Sequence, residues 1–455
     1  MYVKEIRLRN VRGFHDARNV SIDLTRPDGS LAGWTVMAGR NGSGKTSLLR
    51  AVALAIAGPG VARNLVSDFA SWPSVGEAEA IAAVCLTYEA GIDRFPDDER
   101  RPDTPFWAGL SWTFPQDSPF GVRDRQPAIG VPRFVEVEAI RAGRGPWYDN
   151  PAGWFCGAYG PFRRLAGGSG DAQRLMLSRG PAARMASLFH EDASLAEGVS
   201  WLIEQHLRSL EGRAGAAQLK AAALAVLGDG LLPDGYRIRE VNSDGLWVQR
   251  DGHLFPLREM SDGYRTVVAL VVDLLKQAHD AYGGLDVTTT GEHPAIAAPG
   301  VVIIDEIDAH LHVSWQKRIG GWLKHHFPRT QFIVTTHSPY ICQAADERGL
   351  IRLPGPDEDN PPRIVDQDLY ERIVYGSGDD AVMSELFGLD TPYSERAVRL
   401  RRELVELETA VITGRADDAA IRRYEHLRDL LSSSPTARVD ELAARLVPDA
   451  EQPRP

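Results

Sequence analysis

Eight residues near the start of the chain constrain its fold more than any others. Gly39 to Thr46 read GRNGSGKT and satisfy the pattern G-x-x-x-x-G-K-[ST]. The preceding stretch GWTVMAG is apolar like a buried strand, and the following SLLRAVALAIAG has helical spacing that stops at Gly58-Pro59. A strand, a glycine-rich turn and a helix in this order predict a phosphate-binding loop.

The residue types of this loop suit a nucleoside triphosphate. Glycines let successive backbone N–H groups turn towards the phosphates, and the N-terminus of the helix adds its dipole. We expect Lys45 to reach the β- and γ-phosphates and the hydroxyl of Thr46 to ligate Mg²⁺. The predicted cofactors are therefore ATP and Mg²⁺, held by Gly39, Arg40, Asn41, Gly42, Ser43, Gly44, Lys45, Thr46 and Ser47.

Two later strands end in side chains that fit the same chemistry. VVIIDEID places Asp305 and Glu306 after four apolar residues, at the strand end where α/β sheets bind ligands. Asp305 is expected to hold Mg²⁺, and Glu306 to activate the attacking water. FIVTTHSP ends in His337, which alone would favour a packed polar residue, but beside the other motifs it favours a contact to the γ-phosphate or the water.

The stretch MSDGYRT opens an apolar helix far from the phosphate loop. Ser261 is expected to cap that helix, and Gly263 to allow close backbone approach, so that the helix start can meet an anion. Because the chain's own loop already surrounds its ATP, we expect this helix start to contact the nucleotide of a second subunit. An ordinary capped helix is the alternative.

Composition limits the class of protein. The 455 residues are 43% hydrophobic and 25% charged, as in an ordinary globular protein, and the formal charge of −11 argues against a surface that coats nucleic acid. Three separated cysteines form no C-x-x-C pair, which predicts neither a disulfide framework nor a cysteine zinc site. No apolar run approaches the roughly 20 residues of a membrane span. We expect a cytoplasmic protein.

The chain is expected to fold in four parts. Residues 1–170 form a first lobe with the phosphate loop, 171–234 a helical insertion serving as arm or cap, and 235–375 a small β-meander with the second lobe. Residues 376–455 form a helical hairpin and tail, with Leu400, Leu404, Leu407 and Val411 on one helix facing Ile421, Tyr424, Leu427 and Leu431 on the next. This hairpin packs on its own domain or, alternatively, contacts a partner. Long loops are expected at about 91–130, and a flexible linker at YGGLDVTTTGEHPAIAAPG.

Taken in order, GRNGSGKTS, MSDGYR, VVIIDEID and TTHSP resemble the phosphate loop, signature, magnesium strand and switch histidine of ABC-type ATPases. The start IRLRNVRGF resembles their RecF, SMC and OLD branch. DEIDAHLHVSWQ and AYGPFRRL resemble the stand-alone AAA_21-like ATPases of bacterial antiphage defence, such as the ATPase of Septu systems. The resemblance spans roughly residues 1 to 345. It implies an α/β fold: a P-loop NTPase with an ABC-type ATPase head.

The resemblance also implies further roles. Arg12 would lie near the phosphates, Asn41 near the γ-phosphate, and Ser261 with Gly263 on the partner's ATP. The signature departs from the usual L-S-G-G-Q at Asp262 and Tyr264, and His312 stands where many relatives have a D-loop aspartate. His310 and His312 could pair on a metal, although a structural or interface role is favoured. The lid-loop glutamine is unassigned among Gln116, Gln126 and Gln173, and the loop Tyr159 to Arg164 is the other candidate.

These observations favour an ATPase that dimerises around two Mg·ATP and regulates a separate effector subunit, a nuclease, in antiphage defence. The chain lacks the long heptad arm and C-x-x-C hook of tethering relatives, and shows no acidic nuclease cluster after His337. The alternative is a RecF-like DNA repair ATPase, with a DNA track drawn from Arg163, Arg164 and Arg174, or from Lys4, Arg7, Arg9 and Arg18. A transporter subunit is disfavoured because the insertion and hairpin have no counterpart there.

Overall fold

The computed structural model describes residues 1–96, 104–114, 126–148, 151–163, 170–177 and 180–431. The chain divides into two compact units, Met1–Gly388 and Leu389–Pro455. The strands are β1 (Tyr2–Arg9), β2 (Val20–Asp23), β3 (Gly33–Ala38), β4 (Glu79–Thr87), β5 (Phe106–Thr113), β6 (Ala128–Gly130), β7 (Cys156–Tyr159), β8 (Arg237–Asn242), β9 (Gly245–Arg250), β10 (His253–Pro256), β11 (Val287–Thr290), β12 (His293–Ile296), β13 (Gly300–Ile304), β14 (Thr330–Thr336), β15 (Leu350–Arg352) and β16 (Arg363–Ile364).

The α-helices surround these strands. They are α1 (Lys45–Leu65), α2 (Glu136–Arg144), α3 (Gly170–Leu177), α4 (Pro181–Phe189), α5 (Ala196–Leu210), α6 (Ala216–Gly228), α7 (Asp262–Tyr282), α8 (Val313–Gln316), α9 (Ile319–His326), α10 (Pro339–Cys342), α11 (Gln367–Val374), α12 (Gly378–Val382), α13 (Glu395–Ile412) and α14 (Asp418–Leu431).

A six-stranded sheet lies at the centre of the first unit. Its order is β16-β15-β3-β14-β13-β7, and every pairing except that of β15 with β16 is parallel. Ala38 pairs with Thr336, and Ile304 pairs with both Val334 and Tyr159. The carboxyl ends of four strands therefore meet at one edge. The apolar strands predicted from the sequence thus lie in a largely parallel sheet, in keeping with the expected α/β fold.

Successive residues of these strands face two different cores. Met37, Ile303 and Ile333 pack in the core of the first lobe. Their neighbours in sequence pack in the other core, beneath α5, α6 and α7. Alternation of side chains along a strand explains this division, and burial on both faces explains the unbroken apolar runs.

The first lobe contains an antiparallel sheet of order β2-β1-β4-β5-β6. The expectation of only long loops from 91 to 130 is therefore wrong, because β5 pairs with β4 along its whole length and β6 pairs with β5. Phe106 and Trp112 are buried in this lobe. The proline-rich stretch therefore contains a strand, β5, and its partner β4 lies earlier in the chain.

Helix α1 breaks where the sequence predicted its end. Gly58 has φ 81° and ψ 171°, and a helical turn resumes at Pro59 and runs to Leu65. By length and composition alone α1 could cross a bilayer, contrary to the expectation that no apolar run is long enough, but 67% of its most apolar stretch is buried inside the fold. It is a core helix of the first unit.

The predicted helical insertion and β-meander are both present. Helices α5 and α6 pack with α7 in one hydrophobic core, so this region forms a cap rather than a projecting arm. The linker expected after α7 is instead a β-hairpin of β11 and β12, which its run of β-branched threonines favours. Two short helices, α8 and α9, follow β13.

The second unit contains the expected helical hairpin. Helices α13 and α14 pack together, and Leu427 between them is fully buried. Arg423 forms a two-pronged ion pair with Glu403, at 2.7 and 3.0 Å. The other heptad positions on α13 are only partly buried. Partner contact through this hairpin stays a prediction.

Candidate functional site

The motifs singled out in the sequence converge on one edge of the central sheet. The phosphate loop follows β3, Asp305 and Glu306 follow β13, and His337 follows β14. Since these strands are adjacent and parallel, their carboxyl ends bring the three motifs together. The loop after β7, which begins at Gly160, emerges at the same edge.

The lysine of the phosphate loop binds the backbone of the same loop. Nζ of Lys45 donates to the carbonyl oxygens of Gly39 and Arg40, at 2.8 and 3.2 Å. Gly44 has φ +92°, and a Cβ there would lie 2.7 Å from the ring of Phe14, so only glycine fits. The hydroxyl of Ser43 is buried and has no hydrogen-bond partner among the residues that the structure describes. A phosphate oxygen in this loop would satisfy it.

Hard oxygen atoms meet beside the loop. The hydroxyl of Thr46 donates to Oδ2 of Asp305 at 2.7 Å, and the hydroxyl of Thr335 donates to Oδ1 of the same carboxylate. Asp305 is 1% exposed. A carboxylate and a hydroxyl at the mouth of a phosphate loop form the donor set that Mg²⁺ prefers, so these residues fit the predicted ion.

Glu306 adopts an uncommon backbone conformation. Its φ of +45° lies in the left-handed region, and its N–H donates to Oγ1 of Thr335 at 2.8 Å. The side chain is partly buried. Backbone strain of this kind concentrates at functional sites.

His337 lies exposed at the mouth of the cleft. Its N–H donates to Oδ1 of Asp308 at 3.3 Å, and that carboxylate also accepts from the hydroxyl of Thr336. Partial desolvation, and then the charge of Lys45, lower the pKa of His337. The imidazole is therefore neutral at physiological pH and can both donate and accept a hydrogen bond.

Two arginines lie next to the phosphate loop. Nη1 of Arg12 donates to the hydroxyl of Ser47 at 3.2 Å, while its guanidinium stacks 4.6 Å above the ring of Trp72. Nε of Arg12 is buried without a partner, which suits an anion nearby. Arg40 instead pairs with Asp357 at 3.2 Å. Asn41, between the glycines, is exposed.

The signature segment differs from the expectation in one respect. Ser261 holds the N-cap position of α7, but its side chain makes no capping bond, and it is exposed. A Cβ on Gly263 would lie 2.5 Å from the carbonyl oxygen of His310. Gly263 is thus required for contact with this chain's own turn after Glu306, and the hydroxyl of Ser261 remains available.

Several basic residues of the predicted DNA track are buried. Arg163 is 3% exposed and Arg18 is 8% exposed, with Arg18 donating to backbone carbonyls of the loop after β15. These two cannot form a DNA surface, so that part of the prediction is wrong. Arg7 and Arg9 are exposed, and Lys4 is partly buried. Arg164 lies outside the described residues.

The lid-loop candidates separate clearly. Gln126 binds Asp68 and the N–H of Phe69 in the first lobe, so it is not a nucleotide residue here. Gln173 is exposed on α3, and Gln116 lies outside the described residues. The loop that starts at Gly160 is the candidate that shares the edge with Asp305.

Of the histidine pair, His312 has a structural role on this geometry. His312 caps α8 by accepting from the N–H of Ser314 at 3.3 Å. Within the part of the chain that the structure describes, no group of three or more metal-ligating side chains could hold an ion by itself. Cys85, Cys156 and Cys342 are buried and free.

Sequence reasoning missed three residues of the cleft. Thr335 binds both Asp305 and the backbone of Glu306, and Asp308 anchors His337. Asp308 lies in VVIIDEID and Thr335 in FIVTTHSP, so polar residues at the ends of apolar strands could have indicated both. Arg163 was proposed for other roles, because its contacts are to backbone atoms that no side-chain pattern indicates.

Two family models match the chain. The model described as "AAA domain, putative AbiEii toxin, Type IV TA system" matches residues 220–343, and a second AAA domain model matches residues 5–72. Between them they contain the phosphate loop, the signature, Asp305 and His337. Together with the sheet order and the shared edge, these matches support an α/β P-loop fold and a resemblance to ABC-type ATPases.

Among proteins of this class, the chain resembles ATPases of antiphage defence systems. It is 26% identical to the Septu protein PtuA of Bacillus mycoides over 352 residues, covering 77% of this chain and 39% of that protein. It is 32% identical to the Retron Ec83 probable ATPase of Escherichia coli over 120 residues, covering 26% and 21% of the two chains. The match spans less than half the length of either relative.

A solved structure with a similar arrangement is the head of an SMC protein bound to the C-terminal winged-helix domain of ScpA. The TM-score is 0.46 at 18% identity, over 80% of this chain and 98% of that one.

Proposed function

We propose that this protein binds Mg·ATP at the edge formed by β3, β13 and β14 and hydrolyses its γ-phosphate. The observation that carries the proposal is the contact of Thr46 with Asp305, beside a phosphate loop whose buried Ser43 hydroxyl lacks a partner. Thr46 and Asp305 would hold Mg²⁺, which neutralises charge on the phosphates. Lys45 would exchange its two carbonyl partners for phosphate oxygens.

Glu306 is the proposed general base. It follows Asp305 directly, in a left-handed backbone conformation. Asp305 would serve the ion, and Glu306 would accept a proton from water. Neutral His337 is placed to hydrogen-bond the γ-phosphate or that water. Arg12, fixed by Ser47 and Trp72, would add positive charge near the phosphates.

We further propose that two copies close around two nucleotides. Ser261 is exposed and makes no capping bond to α7 in the described structure, so its hydroxyl and the first N–H groups of α7 could meet an anion. In this arrangement each copy would complete the site of the other. Binding of ATP would then close the pair, and hydrolysis would open it.

The relatives suggest what the cycle serves. Because the chain resembles a Septu protein and a retron ATPase, we propose that the nucleotide cycle regulates a separate effector subunit, a nuclease, in antiphage defence in the cytoplasm. Co-expression with proteins encoded next to it, followed by affinity capture with and without ATP, tests this part. Capture that ignores nucleotide would contradict regulation by the cycle.

The decisive test of hydrolysis is Glu306→Gln. Turnover should fall by about 10²–10⁴, the usual contribution of a general base, while ATP binding is preserved. Glu347→Gln is the matched control, because Glu347 is exposed and precedes β15 at the opposite end of the sheet. Unchanged turnover in Glu306→Gln would remove Glu306 from the role.

The mass in solution tests the dimer. Glu306→Gln with Mg·ATP should form a paired species that disappears when the nucleotide is withdrawn. A monomer under both conditions would contradict closure around ATP. A constant oligomer would place assembly elsewhere, for example in the α13 and α14 hairpin.

A further inference from the structure

Arg163 lies at the centre of the turn that carries the predicted catalytic carboxylate. Its guanidinium donates to five backbone carbonyl oxygens, with Nη1 serving the first two and Nη2 the others. These belong to Gly160 at 2.9 Å, Asp305 at 3.0 Å, Glu306 at 3.1 Å, Ile307 at 3.3 Å and Ala309 at 3.4 Å. Four of the five lie in the segment 305–310, which is called the carboxylate turn below.

The charge of Arg163 is retained despite its burial. Desolvation lowers its pKa to about 10, and the charges of Asp308, Asp305 and Glu306 oppose this effect. A guanidinium suits the position because its rigid fork can donate to several acceptors at once, whereas an ammonium is a single point. Carbonyls that would otherwise be buried and unpaired are satisfied in this way.

The carboxylate turn needs external support. Glu306 at φ +45° and His310 at φ +67° are both in the left-handed region, which non-glycine residues adopt only when surrounding structure holds them there. The N–H of Glu306 is held by Thr335 and its carbonyl by Arg163. The backbone on both sides of the Glu306 side chain is therefore anchored.

The same turn contacts the signature helix. The carbonyl of His310 lies against Gly263, with 2.5 Å to the position of an added Cβ. Arg163 itself follows β7, in the loop that emerges beside Asp305. It therefore joins three parts of the site: the loop after β7, the carboxylate turn and, through that turn, the start of α7.

We propose that Arg163 is a positioning residue of the ATPase site, which holds the carboxylate turn so that the side chain of Glu306 is directed at the attacking water. The proposal rests on the function proposed above. It assigns to Arg163 an effect on the chemical step and none on nucleotide binding, because its hydrogen bonds reach the carboxylate turn and Gly160 and not the phosphate loop.

Arg163→Lys is the first test, since it preserves the charge but cannot reach all five carbonyls. We expect kcat to fall by about 10²-fold, as for a displacement of about 1 Å at a reacting group, with KM and ATP binding within about twofold of wild type. Wild-type kcat, or a loss of ATP binding as large as the loss of kcat, would overturn the proposal.

Arg184→Lys is the matched control. Arg184 is also 3% exposed, on α4, but two of its nitrogen atoms have no hydrogen-bond partner in the described part of the chain, and none of the bonds described for the carboxylate turn comes from it. Changing a buried arginine should lower the melting temperature of both variants. If Arg163 has the proposed role, kcat should fall in Arg163→Lys and stay unchanged in Arg184→Lys. Equal falls in kcat for the two variants would contradict a specific role for Arg163.

A double variant separates this proposal from the function on which it rests. If Arg163 acts through Glu306, adding Arg163→Lys to Glu306→Gln should cost less than about twofold further, because the two changes remove one effect. If the losses of turnover from the two single changes instead multiply in the double variant, the proposal for Arg163 is overturned, while Glu306 remains the base. Full ATP turnover by Glu306→Gln alone would instead contradict the proposed role of Glu306 on which this proposal rests. Arg163→Met repeats the test without the charge, and if it does not fold, Arg163→Lys carries the result.

Discussion

The hydroxyl of Thr46 lies 2.7 Å from Oδ2 of Asp305, although 259 positions separate the two residues along the chain. The contact joins the start of α1 to the end of β13. It places both predicted Mg²⁺ ligands on one side of the phosphate loop, with Thr335 holding the other carboxylate oxygen.

Replacing Thr46 should therefore alter the requirement for Mg²⁺. Thr46→Ala removes the hydroxyl, and we expect the Mg²⁺ concentration for half-maximal ATP turnover to rise at least about 10-fold, the loss seen even for outer-shell partners of a metal. Thr46→Ser keeps the oxygen and is the control. A magnesium titration of turnover distinguishes them, and identical curves for all three proteins would contradict the assignment.

Gly263 should not tolerate a side chain. Gly263→Ala brings a Cβ to within 2.5 Å of the carbonyl oxygen of His310, which must shift, and overpacking of this kind costs about 1–3 kcal/mol. The control is Gly321→Ala on α9, where an added Cβ meets nothing within 4 Å and helix propensity favours alanine by about 1 kcal/mol. In thermal unfolding, the melting temperature should fall for Gly263→Ala and rise for Gly321→Ala. Stabilisation by both would contradict the close approach.

Ser261 should act on the neighbouring copy. In the Glu306→Gln background, Ser261→Arg fills the exposed start of α7, and we expect ATP-dependent pairing to fall by 10-fold or more, on the order of 1.4 kcal/mol, while each subunit still binds ATP. Thr289→Arg, on the exposed β11 and β12 hairpin, controls for the added charge. Sedimentation with Mg·ATP measures the pairing. Intact pairing of Ser261→Arg would remove the trans contact.

A buried carboxyl predicts a pH dependence of stability. Asp273 on α7 is 1% exposed, accepts a hydrogen bond from the hydroxyl of Tyr159 at 3.0 Å, and burial raises its pKa to about 6. A raised pKa in the folded state means that folding favours the protonated form. The contribution of this group to stability is present below its unfolded pKa of about 4 and is lost as the pH rises through about 6.

Asp273→Asn should remove that loss. The variant should be more stable than wild type by about 2–3 kcal/mol at pH 8, from a shift of about 2 pKa units at 1.36 kcal/mol each, and the gain should vanish near pH 4. Denaturant unfolding between pH 4 and 8 measures the difference. Asp286→Asn, at an exposed aspartate, controls for net charge. A difference that does not vary with pH would refute the linkage.

Local patterns in the sequence determined much of this protein. The phosphate loop, the apolar strands that end in Asp305 and His337, the helix after Ser261 and the C-terminal hairpin are each written in fewer than about forty consecutive residues. Their periodicity and capping residues act over one or two turns of chain, so a pattern suffices to predict them. Their convergence followed from one rule, that parallel strands share a carboxyl edge.

Tertiary structure alone decided which side chains serve that edge. Arg163 and Arg18 look like surface cations in the sequence, yet both are buried on backbone carbonyls, and Arg163 reaches Asp305 across 142 positions. Strand β5 needed β4 as its partner, and Ser261 left its hydroxyl unused. Burial and backbone pairing depend on which distant segments meet, and a carbonyl oxygen is the same in every residue, so no local pattern records where these contacts form.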